Sequence, residues 1–438
     1  MRCTLQDIFI QHFPAYAATR TLHRRQQRAA DAISRCYTPA LGSHVLTCPE
    51  GHYERLQPHA CRHRSCPRCV EPARSRWIDS QMLRLLPCSH FHTVFTVPHE
   101  LLALWAFNRA QMTRLLFDCA RSSLLDLMGD PARLGVLPGL LMSLHTWGRN
   151  LSHHPHLHCL VTAGGLDAQG LWKSSRSHVP ISAMPLKRLF RGRFLSSLGQ
   201  LLTHRRLDLP AQMDTTYWRG VIKALYLKDF NVKVGDVYEH GHGVALYLAR
   251  YVKGGPLPKD RPLLLDGTTV RFTYTDHRDH RTKWMSLPVQ QFIDRILWHA
   301  PPQGQHLTRH AGLYSTPYRA QHELALQLLM QQPGPARRRR QTALKLPPPL
   351  PPAASTCPTC RLSLMRTIRP STHHAGESSL SPALRHPLQH ANTPRAPPRA
   401  MSNPSLKLTR SGSQRLGTPG PSENCPSVPS RRPPTRAA

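Results

Sequence analysis

The sequence predicts a mixed α+β protein over its first 330 or so residues, followed by a polar extension. Three observations carry this. Strand-type alternation occurs at Phe91, Thr93, Phe95 and Val97, stopped by Pro98, and two further strand signals are LPGLLMSLHTW and HPHLHCLVTAGG, the latter closed by Gly164 and Gly165. Segments with helical apolar spacing lie between and around them. Finally, 21 of the chain's 42 prolines fall within the last 108 residues, which hold almost no aromatics. Such a composition cannot bury enough surface to offset its chain entropy.

In order along the chain, residues 1–40 read as helical, with Leu5, Ile8 and Phe9 on one face and Arg24, Arg25 and Arg28 on a later stretch. Residues 41–72 hold a cysteine cluster and turn residues. Leu101 to Leu127 reads as a helix, and 184–203 and 215–228 as basic amphipathic helices. Residues 242–252 read as a further helix, ended by Gly254, Gly255 and Pro256. Thr268 to Tyr274 alternates as a strand, and Ser286 is expected to cap a helix running to about Ala300. Three parts follow: a helical, metal-binding segment at 1–75, a main domain at 76–330, and a basic, proline-rich, mostly disordered tail at 331–438 with an island at Cys357-Pro-Thr-Cys360.

Charge narrows the partners. The chain has 58 Lys+Arg against 24 Asp+Glu, a formal +34. From residue 331 onward there are 17 basic and 2 acidic residues, giving +15, so the first 330 residues still carry +19. That excess suits a polyanion, most often nucleic acid. Apolar runs such as Leu101–Phe107 and Leu134–Leu144 fall short of the roughly 20 residues that span a bilayer. The N-terminus is charged too early for a signal peptide. A soluble cytoplasmic protein with no membrane partner is expected.

Three groups of residues carry chemistry. Cys48-Pro-Glu-Gly-His52 precedes Cys61-Arg-His63-Arg-Ser-Cys66-Pro-Arg-Cys69. Dense cysteines in a reducing compartment read as a metal site before disulfides. Four soft or borderline ligands suit a structural zinc, and Cys48, His52, Cys66 and Cys69 are the favoured set, with Cys61 or His63 competing. Reduced, buried cysteines are the bland alternative. Arg55, Arg62, Arg64 and Arg68 surround the cluster, as expected if it touches phosphate. Next, strand parity puts His156 and His158 on one face, with His154 as a further candidate ligand, and Leu157, Cys159 and Val161 on the other. Cys159 and Leu160 stand where zinc hydrolases place an Asp-His pair, which argues against that chemistry. Third, Tyr247 and Tyr251 are spaced i, i+4 on the expected helix. A phenol beside a cation-polarised phosphodiester can attack phosphorus, although such a pair is more often core packing. Arg250 and Lys253 beside it either stabilise phosphate charge or form an ordinary solvated face.

The chain resembles the two-tyrosine HUH transposases of rolling-circle insertion sequences, the IS-ninety-one-like group. The stretches that carry the resemblance are CPEGHYERLQPHACRHRSCPRC, GVLPGLLMSLHTWGRNLSHHPHLHCLVTAGGL, YLARYVKGGPL, VRFTYTDHRDH and RHAGLYS, with CPTC at 357–360. The resemblance implies an HUH endonuclease fold, an antiparallel sheet flanked by helices with the histidines on a central strand. It implies Mg2+ or Mn2+ at His156 and His158, Tyr247 and Tyr251 as nucleophiles, a 5′-phosphotyrosine with a free 3′-OH, single-stranded DNA ends as substrate, and no nucleotide cofactor. The family often shows a Cys-x2-Cys pair where Cys48 is followed by Gly51 and His52 here. The third ligand of the catalytic metal is not assignable from sequence: His154 competes with a Glu, Gln or Asp elsewhere. Trp147 and Asn150 are expected to be structural or DNA-contacting. A plasmid rolling-circle initiator or relaxase, and a non-catalytic zinc-containing nucleic-acid-binding protein, are the competing readings.

Overall fold

The computed structural model describes residues 1–175, 181–238, 255–259, 261–276, 279–331 and 356–367. All lie within one compact unit, Met1–Thr372. Its centre is an antiparallel five-stranded sheet of β4 (His90–Thr96), β5 (Gly139–Trp147), β6 (His153–Thr162), β9 (Val232–Tyr238) and β13 (Thr308–Gly312), in the order β13-β5-β6-β4-β9. The histidine strand β6 is therefore the middle strand.

Period-two alternation gives this sheet two different faces. On one face Phe91 and Phe95, Leu140, Met142 and Leu144, and Leu157, Cys159 and Val161 are buried against α5 (Arg109–Gly129), α6 (Ala183–Thr203) and α7 (Thr215–Tyr226). Phe190, Phe194 and Phe230 fill the centre of that layer with rings 5.6–6.0 Å apart. Each such ring, fully buried, contributes roughly 1.5–3 kcal/mol. On the other face, Leu141 and Leu160 pack with Leu86, Tyr314 and Leu329 under α9 (Arg319–Gln331). The histidines occupy the opposite end of that second face. A two-stranded ribbon, β7 (Gly164–Leu166) with β8 (Trp172–Ser174), extends beyond β6.

A second core joins the N-terminus to residues near 300. α1 (Leu5–Ala18) starts at a Thr4–Asp7 capping box, in which the Asp7 amide donates to Thr4 Oγ1 and the Thr4 amide to Asp7 Oδ2. Its Leu5, Ile8, Phe9, Phe13 and Tyr16 pack with Ala29, Ala30 and Ile33 of α2 (Arg24–Arg35) and with Phe292, Ile293 and Ile296 of α8 (Val289–Trp298). These helices cover a sheet of order β1-β10-β11-β12, made of β1 (Arg2–Cys3), β10 (Leu263–Asp266), β11 (Thr269–Thr275) and β12 (Thr282–Pro288). Residues 1–75 thus do not build their core alone. A third sheet, β14-β2-β3, consists of β2 (Ser43–Thr47), β3 (Glu54–Pro58) and β14 (Met365–Thr367), with α3 (Pro67–Met82) following it in the chain.

Two sequence expectations need correction. Ser286 does not cap α8: it pairs with Arg271 inside the β11–β12 ladder, and Pro288 precedes the helix instead. The 101–127 helix is divided into α4 (Leu102–Phe107) and α5 at Asn108. The Asn108 side chain donates to the Leu104 carbonyl at 3.0 Å, and it donates to the Asp208 carbonyl and accepts from the Asp208 amide, both at 2.7 Å. The expected helix 242–252 and the tail beyond 367 lie outside the described residues.

Candidate functional site

The site is written in the register of the central sheet. His156 on β6 stands opposite His145 on β5 and Thr96 on β4; His158 stands opposite Ser143 and Val94. Paired residues share a face, so three imidazoles meet. The ligand nitrogens of His145, His156 and His158 all lie within 4.8 Å of one another. Ring centroids are 4.2 Å apart for His145–His158, 4.8 Å for His156–His158 and 5.2 Å for His145–His156.

Neighbouring groups set the orientation of these rings. His156 Nδ1 donates to the His154 carbonyl at 2.6 Å, which leaves Nε2 as the ring's electron-pair donor. His158 Nδ1 lies 2.8 Å from His92 Nε2, and the two rings stack almost parallel. Trp147 stacks on His145 at 5.6 Å, and Ser143 Oγ lies 3.4 Å from His145 Nε2. Burial, reinforced by the neighbouring imidazoles, holds His145 and His158 well below the ordinary histidine value, and burial brings His92 to about 4. These rings are neutral at pH 7, the state that binds metals.

His92, His154, His156 and His158 line a cleft of about 950 Å3, with His145 buried behind it. Its walls carry Arg74, Arg149, Lys233, Lys259 and Arg261. Among the described residues, the one acid on its lining is Glu71, paired with Arg74 at 2.8 Å.

The predicted zinc ligands divide between two clusters. Cys66 and Cys69 open α3 and converge with Cys36, at the end of α2, and Cys61. Sulfur separations are 3.4 Å for Cys36–Cys69 and 3.5 Å for Cys61–Cys69. Cys48 and His52 lie instead on the β2–β3 turn and converge with Cys357 and Cys360. The split has a topological cause. The turn projects from the end of the small sheet, where β14 delivers the C-terminal pair, whereas α3 starts beyond β3 against α1 and α2. In the first cluster a hydrogen bond from the Cys61 thiol, against the effect of burial, holds Cys66 below the ordinary thiol value, and the amides of Cys69 and Arg68 add to this at the helix start. His63 ligates neither cluster; its Nδ1 accepts from the Ser65 amide at 3.1 Å.

Residues 8–97 match a family described as "Transposase zinc-binding domain", and residues 139–322 match one described as "Putative transposase". The chain is 34% identical over 322 residues to "Putative transposase y4qJ" of Sinorhizobium fredii (strain NBRC 101917 / NGR234), covering 72% of this chain and 81% of that protein. It is 32% identical over 313 residues to "Transposase for insertion sequence element IS801" of Pseudomonas savastanoi pv. phaseolicola, covering 68% and 73% respectively. The chain belongs to the IS91/IS801-type transposases. No solved structure matches it.

The transposase matches place both the histidine trio and the tyrosine pair inside 139–322, and the first cysteine cluster inside 8–97. His154, the ligand expected from strand parity, is exposed on the cleft wall with its ring 5.0 Å from His156; His145 occupies the third corner. His145 carried a sequence signal, as a lone histidine on an apolar strand, but its pairing opposite His156 is non-local. Tyr247, Tyr251, Arg250 and Lys253 lie outside the described residues. Arg62 and Arg64 line a second cleft of about 510 Å3 with His63, Trp77 and His306. Arg68 is engaged structurally, donating to Gln6 at 3.0 Å and stacking over Tyr37 at 4.7 Å. Trp147 is 8% exposed and walls the site, while Asn150 braces the β5–β6 turn by accepting from the Ser152 amide. Among the described residues, no helix is long and apolar enough to cross a membrane.

Proposed function

We propose that this transposase nicks and rejoins single-stranded DNA at insertion-sequence ends through a tyrosine–5′-phosphate linkage. The observation that carries the reading is the convergence of three imidazoles, two of them on the wall of a cation-lined cleft, in a transposase. His145, His156 and His158 would hold a divalent cation, and three nitrogen donors with no carboxylate among them fit Mn2+ better than Mg2+. When bound, such a cation polarises a phosphodiester and neutralises charge that develops on it. The Cys36–Cys61–Cys66–Cys69 cluster would hold the zinc of the N-terminal domain, as four thiolates close the coordination shell and leave no catalytic position.

The protein's own groups divide the remaining work. Arg74, Arg149, Lys233, Lys259 and Arg261 would position the DNA backbone along the cleft. Tyr247 or Tyr251 would supply the nucleophile. Both flanks of the tyrosine-bearing segment support this: Lys233, Val234 and Gly235 before it, and Gly255, Pro256 and Leu257 after it, line the histidine cleft. Tyr251 precedes Gly255 by four residues, a reach of at most about 14 Å. The phenol oxygen bonds to phosphorus, the bond from phosphorus to the 3′-oxygen breaks, and the phenol proton is balanced by protonation of the released 3′-oxygen. The phosphoester energy is retained for rejoining, so no nucleotide is consumed. The transposase relatives favour this over a plasmid replication initiator of the same chemistry.

Labelled single-stranded DNA carrying an element end tests the reading. The expected result is a Mn2+-dependent covalent protein–DNA adduct, lost in the Tyr247→Phe, Tyr251→Phe double variant and in His145→Ala. An adduct that persists in the double variant, or DNA binding with no adduct at all, contradicts it.

A further inference from the structure

We propose that Cys48, His52, Cys357 and Cys360 form a second structural zinc site, separate from the Cys36–Cys61–Cys66–Cys69 cluster, which clasps residues 356–367 onto the N-terminal sheet. The ligand atoms of all four residues lie within 4.8 Å of one another. Cys48 Sγ is 3.4 Å from Cys360 Sγ and 3.9 Å from His52 Nδ1. Tetrahedral zinc, with bonds of roughly 2.3 Å to sulfur and 2.0–2.1 Å to nitrogen, spaces such ligand atoms about 3.6–3.8 Å apart, and the two observed distances bracket that range. A Cys48–Cys360 disulfide would need about 2.05 Å and would leave the convergence of Cys357 and His52 without a cause.

Two turns present the ligands. In the β2–β3 turn, the Cys48 amide donates to the Tyr53 carbonyl and the Gly51 amide to the Cys48 carbonyl, with Gly51 at φ +72°, a conformation that favours glycine. This folds His52 back towards Cys48. In the C-terminal turn, the Cys357 amide donates to the Leu362 carbonyl and the Arg361 amide to the Cys357 carbonyl, so Cys357 and Cys360 share one knuckle. β14 then pairs with β2 through Met365–Thr47, Arg366–Leu46 and Thr367–Val45. The backbone ladder and the four ligands therefore converge on the same edge, from parts of the chain 312 residues apart.

Four protein ligands, three of them thiolates, fill a zinc shell and leave no position for water or substrate. The role is therefore structural. The zinc-domain match covers Cys48 and His52 but ends at residue 97, so this site is completed by a segment beyond that domain. The inference stands apart from the catalytic reading, since neither the histidine trio nor the tyrosines enter it.

Native mass spectrometry and elemental analysis of the purified full chain count the zinc, and alkylation with peptide mapping reports which cysteines are protected. The expected result is two zinc ions per wild-type chain and one in Cys357→Ser with Cys360→Ser. In that variant Cys48 becomes alkylated while Cys36, Cys61, Cys66 and Cys69 stay protected, which also shows that the remainder is folded. His52→Ala should release one zinc at chelator concentrations at least about tenfold lower than wild type, and His52→Cys should restore two tightly held ions. A single zinc in the wild type, a wild-type count in the double serine variant, or a Cys48–Cys360 disulfide in its place overturns the proposal. So does simultaneous release of all zinc from His52→Ala, because the two sites would then not be separate.

Discussion

His92 stands beside the histidine trio with its Nε2 2.8 Å from His158 Nδ1, which fixes the direction in which that ring presents its second nitrogen. Partners of this kind typically carry 10–100-fold in metal affinity. His92→Leu is therefore expected to raise the Mn2+ concentration needed for half-maximal adduct formation by about that factor while leaving the thermal midpoint of the metal-free chain little changed. Titration of activity with Mn2+ checks this. The buried imidazoles also set a pH dependence. Burial brings His92 to about 4 and His299 to about 3, below an unfolded value near 6.5. The unfolded chain takes up protons first as pH falls, so the stability these neutral rings contribute is complete above about pH 6.5 and is lost as pH drops towards the folded values. Each ring should cost about 1.4 kcal/mol per pH unit inside that window, readable as a falling denaturation midpoint from pH 6.5 to about 4. At this scale the sequence was legible where spacing is local. Strand parity put His156 and His158 on one face, but the approach of His145 to them depends on a cross-strand partner that no local spacing encodes.

At the scale of elements, α6 and α7 pack on the helix side of the sheet, behind the histidine face. Phe190 is fully buried, with its ring 4.8 Å from Phe95 of β4 and 5.6 Å from Phe194. Phe190→Ala should destabilise the fold by about 3–5 kcal/mol through lost transfer energy and the cavity left behind, measured by denaturant unfolding. Gly312 shows a tighter constraint. It has φ +55°, and an added Cβ would lie 1.9 Å from the Pro138 carbonyl oxygen. The elements with continuous apolar faces, such as β5, β6, α6 and β11, could be read from periodicity. Two expectations differed for tertiary reasons. Ser286 is held by the β11 ladder, and Asn108 by the backbone of Asp208.

Across the whole molecule, the N-terminal helices share a core with residues 263–300, and the cysteine pair at 357–360 returns to the β2–β3 turn. The Cys357–Cys360 pair was visible as an island, but its return to the β2–β3 turn is non-local, which explains why one zinc set was expected where the fold builds two clusters. The charge was legible at once, and it makes a prediction. Residues 368–438 carry ten basic and two acidic residues, +8 of the formal +34, so truncation after Thr367 should weaken non-specific single-stranded DNA binding. It should also make the plot of log affinity against log salt shallower, while the DNA cleaved stays the same. Fluorescence anisotropy over a salt series measures both effects. The central claim, that the histidine cleft presents a DNA phosphodiester to a tyrosine, is tested most directly by trapping the Mn2+-dependent adduct on an element end, digesting it and mapping the modified peptide by mass spectrometry. The account predicts a 5′-phosphate joined to Tyr247 or Tyr251; a nucleotide joined to any other residue, or through its 3′ end, would contradict it.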